Sequence, residues 1–458
     1  MPGKGLLVSV GLAAGVAVLV AVPATWPSGG GQTLPLRKPP RTFPGPLLGF
    51  VAGSSSTRLA PIDPATLRLL PRRRSQSLPG VIAWAASPDR TRLAVSECGG
   101  AGSCQGLVRV LAMPTMRPLG GALSVGAEAV AFAWDGNERL LVLAGRCCPG
   151  SAQIVAVDAR SGTVTGRSPV PGTVVRFTRS ATGFVLVVGP RNQIGTAHLV
   201  TANADGLRVL RLDRIRAGFV PGSLRMAAIS NDRFPALALD GVGGRAVVVD
   251  SSGTVAAVAL GSLTVSYHQP QASRSLFARL DGWLEPVAQA KGDNGPWREA
   301  QWLGHGLLAV AGTDWQASGQ MRGNVISETL TERPAGLEIL DTRTWHVHTL
   351  DPNADSFTVT NGLLLATGTR WNVTAKENLT SGDGLVAYDS HGIVRFRAFA
   401  GRAVYVNDVA GGRAYVTVVA PNGYEHQRVV DLRTGRVLAT AVFDWPGLLV
   451  GDGDPSTG

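Results

Sequence analysis

Short runs of consecutive apolar residues recur along this 458-residue chain, and each is followed by a polar turn. Runs without a polar face are typical of strands that are covered on both sides of a sheet. The eight runs are GFVAGS, RLAVSE, RLLVLAG, GFVLVVG, PALALDG, GLLAVAGT, GLLLATGT and RAYVTVVA, between Gly49 and Ala420. Their spacing of about 45 residues predicts one structural unit for each run.

A strand–turn–strand pattern follows most of these runs. It is clearest in IVAVDARSGTVTG, AVVVDSSGTVAAV and RVVDLRTGRVLAT. An Asp at the end of a strand accepts a hydrogen bond from the backbone N–H two residues on, and Gly supplies the positive φ that closes the turn. We therefore predict that this pattern is the outer hairpin of each unit. Its turns begin at Asp63, Asp158, Asp250, Asp341, Asp389 and Asp431.

Each unit is predicted to be a four-stranded antiparallel sheet, because a bulkier strand precedes most apolar runs. A sheet that is apolar on both faces needs a neighbour on each side, and a closed ring of sheets, the β-propeller, supplies one to every copy. The six hairpins with this Asp and two degenerate copies without it, VLAMPTMRPL and LVTANADGLRVL, predict an all-β propeller of eight blades, or seven if the first repeat is a fragment. The first repeat lacks its innermost strand, so we predict that PGLLVG (Pro446 to Gly451) completes it and closes the ring by pairing the terminal segments.

Segments outside the repeats give the domain organisation. Gly5 to Val22 carries no charge, so residues 1–24 are expected to be a signal peptide, cleaved after Ala24, or a retained membrane anchor. Residues 25–46 form a Pro/Gly-rich linker, 47–451 the propeller and 452–458 a flexible tail. The interval from Asp250 to Asp341 is about twice the repeat length and, unlike the two long intervals before it, contains no degenerate hairpin copy. This favours an insertion with a short helix at about 261–298, or else a degenerate ninth blade.

The V-x-V-D-x-x-[ST]-G-x-V hairpins resemble the YVTN-type propeller repeat, and more loosely the TolB-like and quinoprotein-like propellers. The resemblance extends over nearly all of residues 47–451. It implies the fold and a setting outside the cytoplasm. It implies no activity, because propellers include both binding proteins and enzymes.

The chain is basic, with a net charge of +11. Only four of its 43 basic residues are Lys, and the Arg residues are scattered over strands and turns. This distribution predicts a solvated, Arg-rich surface, with a patch for anionic lipid or cell-wall polymer as the alternative. We expect no nucleic-acid partner.

Candidate binding residues lie in the loops between the second and third strands. If the strands of a blade are lettered A to D from the innermost outward, the B–C loops share one face of the ring. The elaborated B–C loops are Glu97 to Gly106, Gly145 to Gln153, Gly312 to Gly336 and Thr367 to Gly384. Trp315 and Trp371 follow the B strands of neighbouring repeats, with Asp314 and Arg370 directly before them. The two Trp residues are predicted to form a ligand platform; alternatively, each packs under its own loop as core.

The four cysteines are predicted to lie on the same face, and their even number in an exported chain favours disulfides. A bridge between Cys98 and Cys104 would close a small loop, whereas the vicinal Cys147 and Cys148 could bond directly only under strain. A crossed arrangement between the two loops is the alternative. We expect no metal site, because the cysteines have neither C-x₂-C spacing nor a nearby His.

These observations predict a monomeric binding scaffold outside the cytoplasm, without a cofactor. Its partner would be a protein or a cell-envelope glycan or lipid held on the B–C face, with membrane contact only through the N-terminal segment. The alternative is an enzyme at the central channel, of the lactonase, lyase or quinone-dependent dehydrogenase type. Such a site needs charged side chains converging from the innermost strands, for which the candidates are Arg176, Arg225, Arg298, Glu299 and Asp408.

Overall fold

The computed structural model contains strands and no helix in the part of the chain that it describes. The described residues are 33–36, 47–52, 56–66, 68–70, 74–98, 106–145, 152–218, 233–240, 244–272, 294–322, 325–360, 362–373, 378–420, 425–440 and 446–450. Among them, no helix is long and apolar enough to cross a membrane. The predicted signal peptide or anchor and the predicted tail lie outside these residues.

The first four blades follow one another along the chain. Blade 1 contains β1 (Leu48–Ala52), β2 (Thr57–Pro61) and β3 (Gln76–Leu78); blade 2 contains β4 (Gly80–Ala86), β5 (Arg92–Cys98), β6 (Leu107–Ala112), β7 (Arg117–Pro118) and β8 (Leu123–Ser124); blade 3 contains β9 (Ala129–Asp135), β10 (Arg139–Ala144), β11 (Gln153–Asp158) and β12 (Thr163–Pro169); and blade 4 contains β13 (Thr173–Arg179), β14 (Gly183–Gly189), β15 (Gly195–Asn203) and β16 (Gly206–Ala217). Within each blade, consecutive strands pair in antiparallel order, except that β7 and β8 of blade 2 both pair with β6.

The remaining strands form four further blades and complete the first. Blade 5 contains β17 (Ala236–Leu239), β18 (Arg245–Val249), β19 (Val255–Ala259) and β20 (Thr264–His268); blade 6 contains β21 (Gln271–Ala272), β22 (Asn294–Gly304), β23 (Leu307–Arg322), β24 (Val325–Pro334), β25 (Leu337–Asp341) and β26 (His346–Asp351); blade 7 contains β27 (Ser356–Thr360), β28 (Leu363–Val373), β29 (Asn378–Asp389) and β30 (Val394–Ala398); blade 8 contains β31 (Ala403–Ala410), β32 (Arg413–Val419), β33 (Glu425–Asp431) and β34 (Val437–Thr440); and β35 (Pro446–Val450) pairs with β1 of blade 1. The sequence-based prediction of an all-β propeller with eight blades is therefore confirmed.

The hydrophobic core lies in the seams between blades. One cluster fills the seam between blades 3 and 4, where Phe177 and Phe184 make an edge-to-face contact with ring centroids 6.3 Å apart. Another cluster joins Ile62 of blade 1 to Tyr415 and Val429 of blade 8, so the last blade packs on the first. Each buried side chain of this kind contributes roughly 1.5–3 kcal/mol to folding stability. Because a seam lies on each side of every blade, the runs are apolar on both faces.

The C–D turns use the hydrogen bonds that the sequence predicts. In blade 3, Oδ1 of Asp158 accepts bonds of 2.8 Å from the backbone N–H groups of Arg160 and Ser161. The bonds from Ser161 and Arg160 lower the pKa of Asp158 below its usual range. The N–H of Ala159 donates to the carbonyl of Glu138 at 2.7 Å, which ties the C–D turn to the A–B turn on the same face.

Blade 5 corrects one predicted hairpin. Its innermost strand is β17, which lies in the run PALALDG, so the turn that begins at Asp250 connects strands B and C and not C and D. The C–D turn follows Ala259, where Leu260 donates its N–H to the carbonyl of Gly244 at 2.9 Å. The assignment was wrong because an Asp–Ser–Ser–Gly sequence stabilises a tight turn between any two antiparallel strands.

The segment predicted as an insertion, at about 261–298, is mostly part of the blades where it is described. It contains β20, the short β21 and the first residues of β22. β21 pairs in parallel with the outer strand β26 of blade 6, through Gln271 and His346. Residues 273–293, including the predicted short helix, lie outside the described residues.

Four residues of the predicted linker, 33–36, pack against the propeller. Leu34 is 1% exposed and belongs to the apolar cluster between blades 6 and 7. Its N–H donates to the carbonyl of Ser390 in the C–D turn of blade 7 at 2.5 Å, and Pro35 lies beside Gly304 of blade 6. The linker therefore reaches the A–B and C–D face, opposite the B–C loops.

Candidate functional site

Two of the predicted B–C loops, in blades 6 and 7, are strands that lengthen their blades. β23 has 16 residues and β28 has 11, and the returning strands β24 and β29 follow them in antiparallel register. β24 and β28 pair with each other from Leu330↔Val373 to Glu332↔Trp371, which joins the two blades in one ten-stranded sheet. We call the extensions, residues 313–322, 325–334, 369–373 and 378–383, the ribbon.

The ribbon brings the two predicted Trp positions into one row. Trp315 is paired with Glu332 across β23 and β24, and Glu332 is paired with Trp371 across β24 and β28. Directly opposite residues of antiparallel strands share a face of the sheet, and strands lie about 4.8 Å apart. The two Trp positions are thus about 10 Å apart on one face, with a Glu position between them.

The two charged residues next to these Trp positions pair within their own blades. Asp314 accepts a bond of 2.7 Å from Nη2 of Arg298. Arg370 donates to Oδ1 of Asn353 at 3.0 Å and lies 3.4 Å from a carboxylate oxygen of Asp383. Their side chains are 58% and 50% exposed, so both charges are accessible at the base of the ribbon. The structure does not bring them into contact with each other.

Two of the predicted channel residues link inner strands. Arg176 of β13 donates from Nη2 to the backbone carbonyl of Arg298 on β22 at 2.8 Å, and its guanidinium lies 5.2 Å from the ring centroid of Trp297. Arg176 thereby bridges blades 4 and 6 past the short inner strand of blade 5. Arg179, on the same strand, donates to the carbonyl of Trp84 in blade 2 at 3.3 Å.

Glu299 lies at the inner end of the seam between blades 6 and 7. Its Oε1 accepts a bond of 2.8 Å from the backbone N–H of Phe357, on the innermost strand of blade 7. Burial raises the pKa of Glu299 to about 7, although the bonds from Phe357 and Ser356 and the charge of Arg176 act in the opposite direction. The carboxyl is therefore hydrogen-bonded to the next blade and titrates near neutral pH.

The other predicted site residues are not assembled into one centre by the described part of the chain. Asp408 of blade 8 accepts a 2.7 Å bond from the N–H of Val409. Cys98 is the last residue of β5, whereas Cys104, Cys147, Cys148 and Arg225 lie outside the described residues. The disulfide therefore stays a prediction. Among the described residues, no group of three or more His, Cys, Asp or Glu side chains has an arrangement that would hold a metal ion.

We expect the Glu299→Gln variant to lose part of the pH dependence of folding stability. In the folded wild type the carboxyl has a pKa of about 7, above the value of 4.5 of an exposed Glu. The raised pKa therefore contributes to the free energy of unfolding of the wild type. This contribution is fully present below pH 4.5 and is lost as the pH rises through 7, by about 2–3 kcal/mol. The amide of Gln still accepts from Phe357 but does not titrate. Denaturant unfolding at pH 5 and pH 8 measures the difference.

Glu138→Gln is the matched control, because its side chain is 58% exposed in an A–B turn. The control should keep the pH dependence of the wild type. If the free energies of unfolding of Glu299→Gln and Glu138→Gln change with pH by the same amount, Glu299 does not titrate near neutrality.

The comparisons with known proteins concern the fold alone. No protein-family model matches the sequence, and no curated protein matches it. The dihydro-heme d1 dehydrogenase NirN, solved in complex with DHE, is 14% identical with a TM-score of 0.45, and the match covers 91% of this chain and 78% of that chain. BamB from Moraxella catarrhalis is 12% identical with a TM-score of 0.42, over 85% and 95% of the two chains. The β-propeller domain of Myceliophteria thermophila Cps50 (Swd1) is 12% identical with a TM-score of 0.35, over 78% and 95%. The strand order of the described blades confirms the predicted resemblance to propeller proteins at the level of the fold.

Proposed function

We propose that this chain is a binding scaffold outside the cytoplasm that holds a protein partner on the B–C face of blades 6 and 7. The observation that carries the proposal is the ribbon, in which strand extensions of two neighbouring blades pair with each other. The uncharged segment from Gly5 to Val22 supports the proposed setting.

The ribbon supports protein binding because it is an extension that projects from the regular strands of a rigid scaffold. Loops and extensions on a rigid scaffold carry binding more often than the scaffold itself. Trp is enriched at the energetic centres of protein interfaces, and the ribbon places Trp315 and Trp371 in one row with Glu332. In the proposed complex the two indoles form the apolar centre, whereas Asp314 and Arg370, one position earlier on the same strands, belong to the opposite face of the ribbon.

The predicted alternative, an enzyme at the channel, has weaker support. Arg176 and Glu299 each bond the backbone of an inner strand of another blade, a role that holds blades together. The pKa of Glu299 would suit a proton-transfer group. The Glu299→Gln variant serves this question too, because a binding scaffold keeps its partner when Glu299 no longer titrates.

The proposal predicts that Trp315→Ala and Trp371→Ala each weaken partner binding about tenfold or more, because truncating an interface Trp removes its buried contact area. The partner is first isolated by cross-linking in an envelope extract, and its affinity is then measured with purified proteins. Trp345→Ala is the matched control: Trp345 lies in the C–D turn of blade 6, on the opposite face, and stacks on His268 with ring centroids 3.6 Å apart. Unchanged affinity in both ribbon variants would contradict the proposal.

A further inference from the structure

The outer rim of blades 7 and 8 exposes apolar side chains beside the C–D turns. In the described part of the chain, seven large hydrophobic side chains are exposed, and four of them lie here. We call these four the rim patch: Ile393 and Val394 in blade 7, and Val437 and Leu438 in blade 8. Single exposed apolar side chains are common on protein surfaces, whereas a group of them marks a surface that binds a partner.

The two halves of the rim patch are adjacent. Phe396, on the outer strand β30 of blade 7, packs against Gly435 in the C–D turn of blade 8, and a Cβ atom on Gly435 would lie 2.6 Å from the ring. Phe396 comes two positions after Val394, and Gly435 comes two positions before Val437. The four side chains therefore belong to one surface, at the outer edge of the A–B and C–D face.

The charges around the rim patch favour an anionic partner. Residues 389–397 and 431–438 contain four Arg and two Asp, which gives a net charge of +2. Arg395, Arg433 and Arg436 are exposed directly beside the apolar residues.

The two carboxylates are held within their own turns. Oδ1 of Asp389 accepts bonds of 2.8 and 3.0 Å from the N–H groups of His391 and Ile393. Asp431 accepts two backbone bonds in the same way in blade 8. Arg395 lies 3.7 Å from Asp389 and is still 62% exposed. Apolar side chains with exposed Arg beside them suit the surface of a bilayer, where affinity increases with the buried apolar area and with attraction to anionic lipid.

The N-terminal segment reaches the propeller beside the rim patch. The N–H of Leu34 donates to the carbonyl of Ser390, in the same turn as Ile393. Only the ten residues 23–32 separate this docked segment from the uncharged segment that ends at Val22. Ten residues span at most about 35 Å when fully extended. If the uncharged segment lies in a membrane, as the sequence predicts, the C–D turn of blade 7 is kept within that distance of the lipid.

A short tether makes a small patch sufficient. Four apolar side chains bind a bilayer weakly by themselves, but a tether of this length holds them near the lipid at an effective concentration on the order of millimolar. The B–C face, with the ribbon, lies on the opposite side of the ring and is directed away from the membrane in this arrangement.

We propose that the rim patch is a second membrane-binding site, in which its apolar side chains enter the surface of a bilayer and the flanking Arg side chains contact anionic lipid headgroups. The sequence predicts membrane contact only through the N-terminal segment, so this site is additional. The proposal goes beyond the proposed function. It uses the expected membrane segment but not the binding of a partner, which the Trp315→Ala and Trp371→Ala variants test separately.

Hydrogen exchange of the full chain, followed by mass spectrometry, tests the site. The chain is compared in micelles of an uncharged detergent, in nanodiscs of phosphatidylcholine, and in nanodiscs that also contain phosphatidylglycerol. We expect peptides from 390–397 and 433–440 to exchange at least about fivefold more slowly in the anionic discs than in micelles, because each Arg near an anionic surface strengthens binding about fivefold. Peptides from the ribbon should exchange equally in all three.

Arg433→Gln/Arg436→Gln should weaken docking on the anionic discs about thirtyfold, since it removes two such contacts. Arg139→Gln/Arg160→Gln is the matched control, with the same change in charge at exposed positions on the same face of blade 3. It should keep the protection of the wild type. Absence of protection in the wild type, or equal protection in the two double variants, would overturn the proposal. So would protection that also occurs in micelles and increases with protein concentration, which would assign the rim patch to a second copy of the chain.

Discussion

Replacing Tyr415 by Ala should lower the free energy of unfolding by about 3–5 kcal/mol, as expected for the loss of a fully buried aromatic side chain. Tyr415 lies on β32 of blade 8 and is 0% exposed, in the cluster that joins blade 8 to blade 1. Its hydroxyl donates to the backbone carbonyl of Pro64 at 3.2 Å, across 351 positions of the sequence. The variant therefore opens a cavity in the seam where the two ends of the chain meet.

Two further variants separate packing from hydrogen bonding at this seam. Tyr415→Phe keeps the ring and removes one hydrogen bond, so we expect a loss of about 1 kcal/mol. Tyr405→Ala, in the same blade but 46% exposed, should change stability by less than about 1 kcal/mol. Unfolding by guanidinium at constant pH measures the stability of all three variants. If Tyr415→Ala and Tyr405→Ala have equal effects, the contact between the first and last blades does not contribute to the cooperative fold.

The fold was predictable because every blade repeats the same physical requirement. An apolar B strand that is covered on both faces appears as an uninterrupted run, and the C–D turn appears as an Asp followed by Ser, Thr or Gly. The error in blade 5 has the same origin. The turn at Asp250 has the right composition, but its place in the blade depends on which strand is innermost, and local sequence does not determine that order.

The ribbon was predictable only in part. The sequence placed Trp315 and Trp371 on neighbouring B–C extensions, and the dipeptide Gly323-Asn324 between two polar runs is a further hairpin signal. The pairing of β24 with β28 was not predictable, because it joins residues of different repeats that no periodicity relates. Leu34 was missed for another reason: Pro and Gly around it predict a linker, and a single buried side chain leaves no pattern.

The second large effect is expected at the B–C face of blade 2, where Glu97 directly precedes Cys98. The carboxylate of Glu97 is 1% exposed and accepts two bonds from Arg109, at 2.5 Å to Nε and 3.1 Å to Nη2. The bond to Glu97 raises the pKa of Arg109 above its usual value. Arg109→Met should lower the free energy of unfolding by about 3 kcal/mol at pH 7, because it leaves a buried carboxylate without a counter-charge.

The double variant Arg109→Met/Glu97→Gln distinguishes the loss of the ion pair from the loss of Arg packing. It removes both charges, so we expect it to recover most of the stability that Arg109→Met loses. Denaturant unfolding of the wild type and the two variants at pH 7 tests this account. If the double variant is as unstable as Arg109→Met, the Arg side chain stabilises blade 2 through its packing and not through its charge.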